Sequence, residues 1–158
     1  MTLYRLRALL AALWGGLLLC IAGVAAPAAF AVLERAQAGK LVARLFERDA
    51  QIGLLLGLLL MMMERRLQRD GQEREGMQQR AVFNPELLLP LLAMVCVVAG
   101  YYALQGPMQA AREGQGSWSF AALHGISLLF FGIKTAAVLM LAWRAARPMA
   151  AISLPASS

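Results

Sequence analysis

The side chains best able to do chemistry lie in the last long apolar segment, residues 119–143. His124, Ser127 and Lys134 are spaced there at i, i+3 and i+10, which places them on one stripe of a helix. Phe131, at i+7, lies on the same stripe. An imidazole, a hydroxyl and an ammonium inside such a segment must face protein or water. The spacing therefore predicts a polar stripe that points into a helical bundle.

Further polar residues flank the neighbouring apolar segments at what we expect to be the same depth. They are Asp49, Tyr101, Tyr102 and Gln105. If successive segments run in opposite directions, these groups converge with His124 on an outward-facing polar pocket. The alternative interpretation is that they form interhelical hydrogen bonds which only fix the packing.

Lys134 is open to two interpretations of its own. In the first it binds an anion, relays a proton or pairs with a carboxylate such as Glu86, because a buried lysine in a membrane is costly and suggests function. In the second its long stem snorkels along the helix towards the headgroups.

The sequence lacks the patterns of the common catalytic and metal sites. It contains no nucleophile elbow, no zinc-ligand pair and no phosphate-binding glycine loop. Cys20 and Cys96 each lie deep in an apolar run, where cysteine is usually a small buried hydrophobe. We therefore predict a protein that is not an enzyme and has no catalytic residue, cofactor or metal site.

Composition places the chain among membrane proteins. It is 60% hydrophobic, with a mean hydropathy of +0.62, whereas soluble domains are about 45–50% apolar. The formal net charge is +6, but the basic residues are scattered between apolar runs and are not interleaved with aromatic residues. This distribution indicates membrane topology and contact with the lipid bilayer, and it argues against nucleic-acid binding.

The apolar runs predict an all-α, four-helix transmembrane bundle within residues 1–148. The predicted spans are about 8–33, 50–67, 86–105 and 119–143. An amphipathic helix at about 36–48 is expected to lie in the membrane interface between the first two spans, or alternatively to prolong the second span. Residues 64–85 are predicted to form a charged loop, Gly106-Pro107 to end the third helix, and residues 149–158 to form a disordered tail.

Small residues predict where helices approach each other closely. Gly53 and Gly57 form a GxxxG pair in the second span, and Ala12, Gly16 and Cys20 repeat at four-residue spacing in the first. Arginine and lysine are more numerous at both chain ends and in the charged loop than in the other connections. Both termini are therefore predicted to be cytoplasmic, with the protein in a bacterial inner membrane.

Four segments in this order resemble a known family. They are Ala12-Leu13-Trp14-Gly15-Gly16, Ala26-Pro27-Ala28-Ala29-Phe30, the run from Ala38 to Phe46, and Phe120-Ala121-Ala122-Leu123-His124-Gly125-Ile126-Ser127. This pattern resembles the domain-of-unknown-function 4149 family, related to transmembrane protein 205. The resemblance implies a small four-helix integral membrane protein and carries no reaction or ligand.

Two functions remain open from the sequence. The first is a non-enzymatic scaffold or regulator of a membrane partner, which is either a second copy of the chain or another membrane protein. The second is a small transporter-like or channel-like protein that uses the polar stripe of the last helix.

Overall fold

The computed structural model describes residues 2–75, 85–115 and 117–146, and within these ranges the chain is helical and contains no strand. The helices are α1 (Thr2–Cys20), α2 (Ala26–Val32), α3 (Arg35–Glu75), α4 (Pro85–Val97), α5 (Ala103–Arg112) and α6 (Phe120–Ala146). Residues 64–75, predicted to be part of a charged loop, instead continue helix α3. The predicted tail, residues 149–158, and the loop residues 76–84 lie outside the described residues.

Two π-helical turns join helices end to end. Ile21–Ala25 links α1 to α2, and Val98–Tyr102 links α4 to α5. In each turn the following amide donates to a carbonyl five residues back, from Ala26 to Ile21 and from Ala103 to Val98. Pro27 or Pro107 follows within about one turn. Such local widening lets a membrane helix accommodate proline without ending.

The predicted end of the third helix at Gly106-Pro107 is therefore wrong, because α5 continues through both residues to Arg112. Three stretches are long and apolar enough to cross a membrane: Leu3–Val32, Glu86–Arg112 and Phe120–Ala146. Their 30, 27 and 27 residues each reach about 40 Å or more at about 1.5 Å per residue.

The structure differs from the predicted interfacial helix. The amphipathic segment, about residues 36–48, is continuous with the apolar residues that follow it in the 41-residue helix α3. Neither proline nor a turn-forming pair interrupts the chain between Arg35 and Met63, so nothing in the sequence ends the helix there. The alternative, that this segment prolongs the second span, matches the observed helix.

A buried tryptophan lies at the centre of the packing. Trp14 is 0% exposed and belongs to a core drawn from α1, α3, α4 and α6. A methyl group at Gly53 would lie 3.5 Å from Trp14 Cζ2, and one at Gly57 would lie 2.5 Å from Met94 Cγ. Both glycines therefore lie where α3 meets α1 and α4.

The second predicted packing face, on α1, points away from the other helices. Ala12, Gly16 and Cys20 are all exposed, and a methyl group at Gly16 would meet nothing within 4 Å. The glycine of α1 that does pack is Gly15, whose added methyl group would lie 2.9 Å from Leu139 Cδ2. Gly16 therefore does not pack against another described helix of this chain, because Trp14 and Leu18 turn the neighbouring face of α1 inwards.

Cross-helix contacts fix the directions of the helices. Phe46 and Phe131 meet edge to face with centroids 5.2 Å apart, and three residues later Asp49 pairs with Lys134. Because both partners advance by three residues, α3 and α6 run parallel with an offset of 85 residues.

At the other end of α3, Arg7 pairs with Glu64 at 2.7 Å and Arg144 with Glu86 at 3.7 Å. We call this the charged end; α1 and α4 begin there and α6 ends there, whereas α3 passes it and continues to Glu75.

Candidate functional site

The strongest candidate site is a buried ion pair between α3 and α6. Lys134 Nζ donates to Asp49 Oδ2, and the two residues are only 4% and 2% exposed. Lys134 Nζ also lies 4.7 Å from the centroid of the Phe131 ring, within cation–π range. The partner of the lysine is thus Asp49, and not the Glu86 considered from the sequence.

The helix surface around Lys134 explains its direction. Ala137, Val138 and Leu141 are buried with it at i+3, i+4 and i+7, so this face of α6 points into the bundle. A lysine in this position avoids the cost of an isolated charge only if an anion lies within its reach. Asp49 supplies that anion, which is why the side chain does not extend along α6 to the headgroups.

The carboxylate has unused hydrogen-bonding capacity. Asp49 Oδ1 is buried, and no hydrogen-bond donor meets it within the part of the chain that the structure describes. A carboxylate that holds one cation and keeps a free acceptor oxygen can take up a proton or hold a water molecule.

A second polar contact ties α6 to the π-helical turn before α5. Ser127 Oγ donates to the Gly100 carbonyl oxygen at 2.8 Å. The π-helical turn Val98–Tyr102 departs from the regular α-helical ladder, and serine side chains commonly satisfy backbone groups freed in this way. Ser127 therefore acts as a helix-to-helix contact about two turns from Lys134, on nearly the same face of α6.

We expect Ser127→Ala to lower the free energy of unfolding by about 1 kcal/mol, the typical net value of one hydrogen bond. Titration with sodium dodecyl sulfate in mixed micelles measures this change. His124→Ala is the matched control on the same helix, and it should change stability by less than about 0.5 kcal/mol because the imidazole is exposed. Equal losses in the two variants would contradict the assignment.

The predicted polar stripe is split by the structure. His124 is exposed and stacks on Phe120, with centroids 5.8 Å apart and an interplanar angle of 8°. At about 100° of rotation per residue, His124 lies roughly 80° around the helix from Lys134. The expectation that the imidazole faces the interior is therefore wrong, whereas Lys134 and the half-buried Ser127 do face other helices.

The remaining members of the predicted pocket do not join the ion pair. Tyr102 and Gln105 are exposed, and the half-buried Tyr101 contacts Tyr102 edge to face with centroids 5.1 Å apart. Of the predicted pocket residues, only Asp49 and Lys134 are brought into direct contact. Among the described residues, no group of three His, Cys, Asp or Glu side chains could hold a metal ion.

The charged end was missed by reasoning from the sequence. Arg7 and Glu64 are buried there, although each belongs to a segment that reads as a solvated terminus or loop. Only their position at the margins of apolar runs could have suggested a pair. Arg7, Glu64, Glu86 and Arg144 come from four different helices, so these two ion pairs tie α1 to α3 and α4 to α6.

Comparison with known proteins gives one match. The sequence model of the family described as Domain of unknown function (DUF4149) matches residues 9–117. The matched range includes Trp14, Asp49 and Gly100 and ends before Ser127 and Lys134. No curated protein and no solved structure matches the chain.

Proposed function

We propose that this chain, which belongs to the DUF4149 family of unknown function, is an integral membrane protein of four crossings. We propose further that it acts without catalysing a reaction, as a scaffold or regulator of a membrane partner. The partner is a second copy of the chain or another membrane protein.

The placement of α3 supports four crossings. Its apolar run, Ile52 to Met63, reaches only about 18 Å, but its buried side chains extend further along the helix than this run. Asp49 is held beside the middle of α6 and Glu64 at the charged end. A helix whose side chains pack against three apolar helices over this length is expected to cross with them.

The exposed charges support cytoplasmic termini. Arg65, Arg66 and Arg69 are exposed where α3 passes the charged end, and Arg5 is exposed at the start of α1. Arginine accumulates on the cytoplasmic side of membrane helices. We therefore propose that the charged end, where α1 begins and α6 ends, faces the cytoplasm of a bacterial inner membrane.

The observation that carries the scaffold proposal is the enclosed Lys134–Asp49 pair. Removing two charges from water costs free energy, and a buried pair is best understood as a device that selects one arrangement of helices. Here the pair fixes α6 against α3 near the middle of the bundle. A bundle held in one register presents a constant lateral surface to a neighbouring membrane protein.

Photo-crosslinking in native membranes tests this function. A photoreactive residue at Gly16, on the exposed small-residue face of α1, should give an adduct of one discrete mass. The yield should fall severalfold in Lys134→Met, because the register of the bundle is then no longer fixed. The same residue at Leu129, exposed on α6, is the positional control. Recovery of uncrosslinked chain alone from both positions would contradict the proposal.

A second candidate function, transport of protons or small ions, is favoured by the unpartnered Asp49 Oδ1. In that case Lys134→Ala should change proton flux in reconstituted vesicles, measured with a pH-sensitive dye trapped inside. Ser127→Ala, which leaves the ion pair in place, is the control. Flux that is the same in Lys134→Ala and in the unmodified chain removes the transport hypothesis.

A further inference from the structure

The exposed side of α3 carries charge on the stretch before its apolar run. Arg44, Arg48 and Gln51 are exposed and Glu47 is half-buried on one side of the helix; we call these four residues the polar face of α3. Arg44 Nη1 lies 2.7 Å from Glu47 Oε2, and Arg48 Nη1 donates to Gln51 Oε1 at 3.0 Å. The charge of Arg48 thus has only a neutral partner among the described residues.

The parallel register shows how deep this face lies. With the offset of 85 residues, Arg48 is level with Ile133 and Gln51 with Ala136. Ile133 is the middle residue of α6 (Phe120–Ala146). From that level α6 continues towards its amino end for about 20 Å, and it exposes Leu129 on the way. At one height, the bundle is therefore apolar on the α6 side and charged on the α3 side.

The apolar surface of α3 is also too short for a bilayer. Between Gln51 and Arg65 the exposed side chains are apolar, and this stretch reaches about 21 Å. The hydrocarbon layer is about 30 Å thick. A short apolar surface is accommodated by local thinning of the bilayer or by association with another protein that covers the polar residues beside it.

We propose that phospholipid headgroups bend inwards along the polar face of α3 and that Arg48, assisted by Arg44, binds their phosphate groups. The headgroups come from the leaflet opposite the charged end. The proposal rests on the crossing of α3 proposed above and does not depend on the scaffold function. The protein then thins the bilayer on one side only.

The chemistry of the arginine side chains favours binding of lipid phosphate over binding of a protein partner. A guanidinium binds phosphate through two parallel hydrogen bonds and is more weakly hydrated than an ammonium. Snorkelling and local thinning are what make arginine tolerable within a membrane. A protein partner would instead have to bring its own anion to the same depth, which adds a second desolvation cost.

A pair of spin labels at one height tests the proposal. In a Cys20→Ala, Cys96→Ala background, two separate single-cysteine variants, Gln51→Cys and Ala136→Cys, are each labelled with one nitroxide. The labelled chains are placed in dioleoylphosphatidylcholine vesicles, diluted so that most vesicles hold a single chain. Relaxation by a nickel chelate, compared with relaxation by oxygen, reports polar against hydrocarbon surroundings. We expect the chelate-to-oxygen ratio at position 51 to exceed the ratio at position 136 severalfold.

Two further measurements test whether the group that binds the arginine side chains is a lipid phosphate. Arg44→Leu combined with Arg48→Leu should lower the ratio at position 51 to that at position 136, and so should vesicles of digalactosyl diacylglycerol, which has no phosphate. A ratio at position 51 that is high in the glycolipid as well would overturn phosphate binding. Equal low ratios in phosphatidylcholine would overturn the thinning, whereas a high ratio at position 136 would overturn the membrane placement itself.

Discussion

Lys134→Ala is expected to lower the free energy of unfolding by about 3–5 kcal/mol, because it leaves the Asp49 carboxylate buried without its counter-ion. Both side chains are almost fully enclosed, so bulk water does not solvate the carboxylate that remains. Titration with sodium dodecyl sulfate in mixed micelles, followed by far-ultraviolet circular dichroism, measures the change.

The double variant Asp49→Leu, Lys134→Met distinguishes the effect of the two buried charges from the effect of side-chain packing around them. Because neither charge remains buried, its stability should return to near that of the unmodified chain or exceed it. The exposed pair Arg44–Glu47 is the matched control, since Arg44→Ala removes a salt bridge worth at most about 1 kcal/mol from a side chain that is 77% exposed. A loss in Lys134→Ala no larger than in Arg44→Ala would show that the buried pair is not fully desolvated.

Gly100→Ala should have the second largest effect. A methyl group there would overlap Phe130 Cβ, an atom that rotation about side-chain bonds cannot move away. The π-helical turn Val98–Tyr102 and α6 must then separate, which also stretches the hydrogen bond from Ser127 to the Gly100 carbonyl. Overpacking of this kind costs about 1–3 kcal/mol and occasionally more.

Gly16→Ala is the control for this substitution. Gly16 lies in the interior of α1, with nothing within 4 Å of an added methyl group. Alanine is favoured over glycine there by up to about 1 kcal/mol, so this variant should be as stable as the unmodified chain or more stable. A loss of stability in Gly16→Ala as large as in Gly100→Ala would mean that the face of α1 is not free in the monomer.

Local patterns were enough to predict the helical class and the family. Long apolar runs predicted the three helices that could cross a membrane, and the resemblance to the DUF4149 family is confirmed by the match over residues 9–117. The helical class depends on composition and the family on short motifs, and both can be read from residues that are close together in the sequence. The amphipathic segment before Ile52 was harder to place, because its pattern suits an interfacial helix and an extended membrane helix equally.

The partners of the charged residues could not be predicted in the same way. Asp49 and Lys134 are 85 residues apart and Arg7 and Glu64 are 57 apart, so their pairing depends on how whole helices are aligned. His124 shows the limit of periodicity, because a stripe that covers ten residues turns through about 80°. The small residues were equally ambiguous. Gly16 and Gly53 both belong to small-residue pairs at four-residue spacing, and only the position of the buried Trp14 shows which of them lies inside the bundle.

The two contacts three residues apart between α3 and α6 restrict how the molecule can move. Sliding α6 along α3 by one turn would separate the Phe46 and Phe131 rings and break the Asp49–Lys134 pair in the same step. A change of shape that keeps both contacts therefore leaves the relative height of α3 and α6 unchanged.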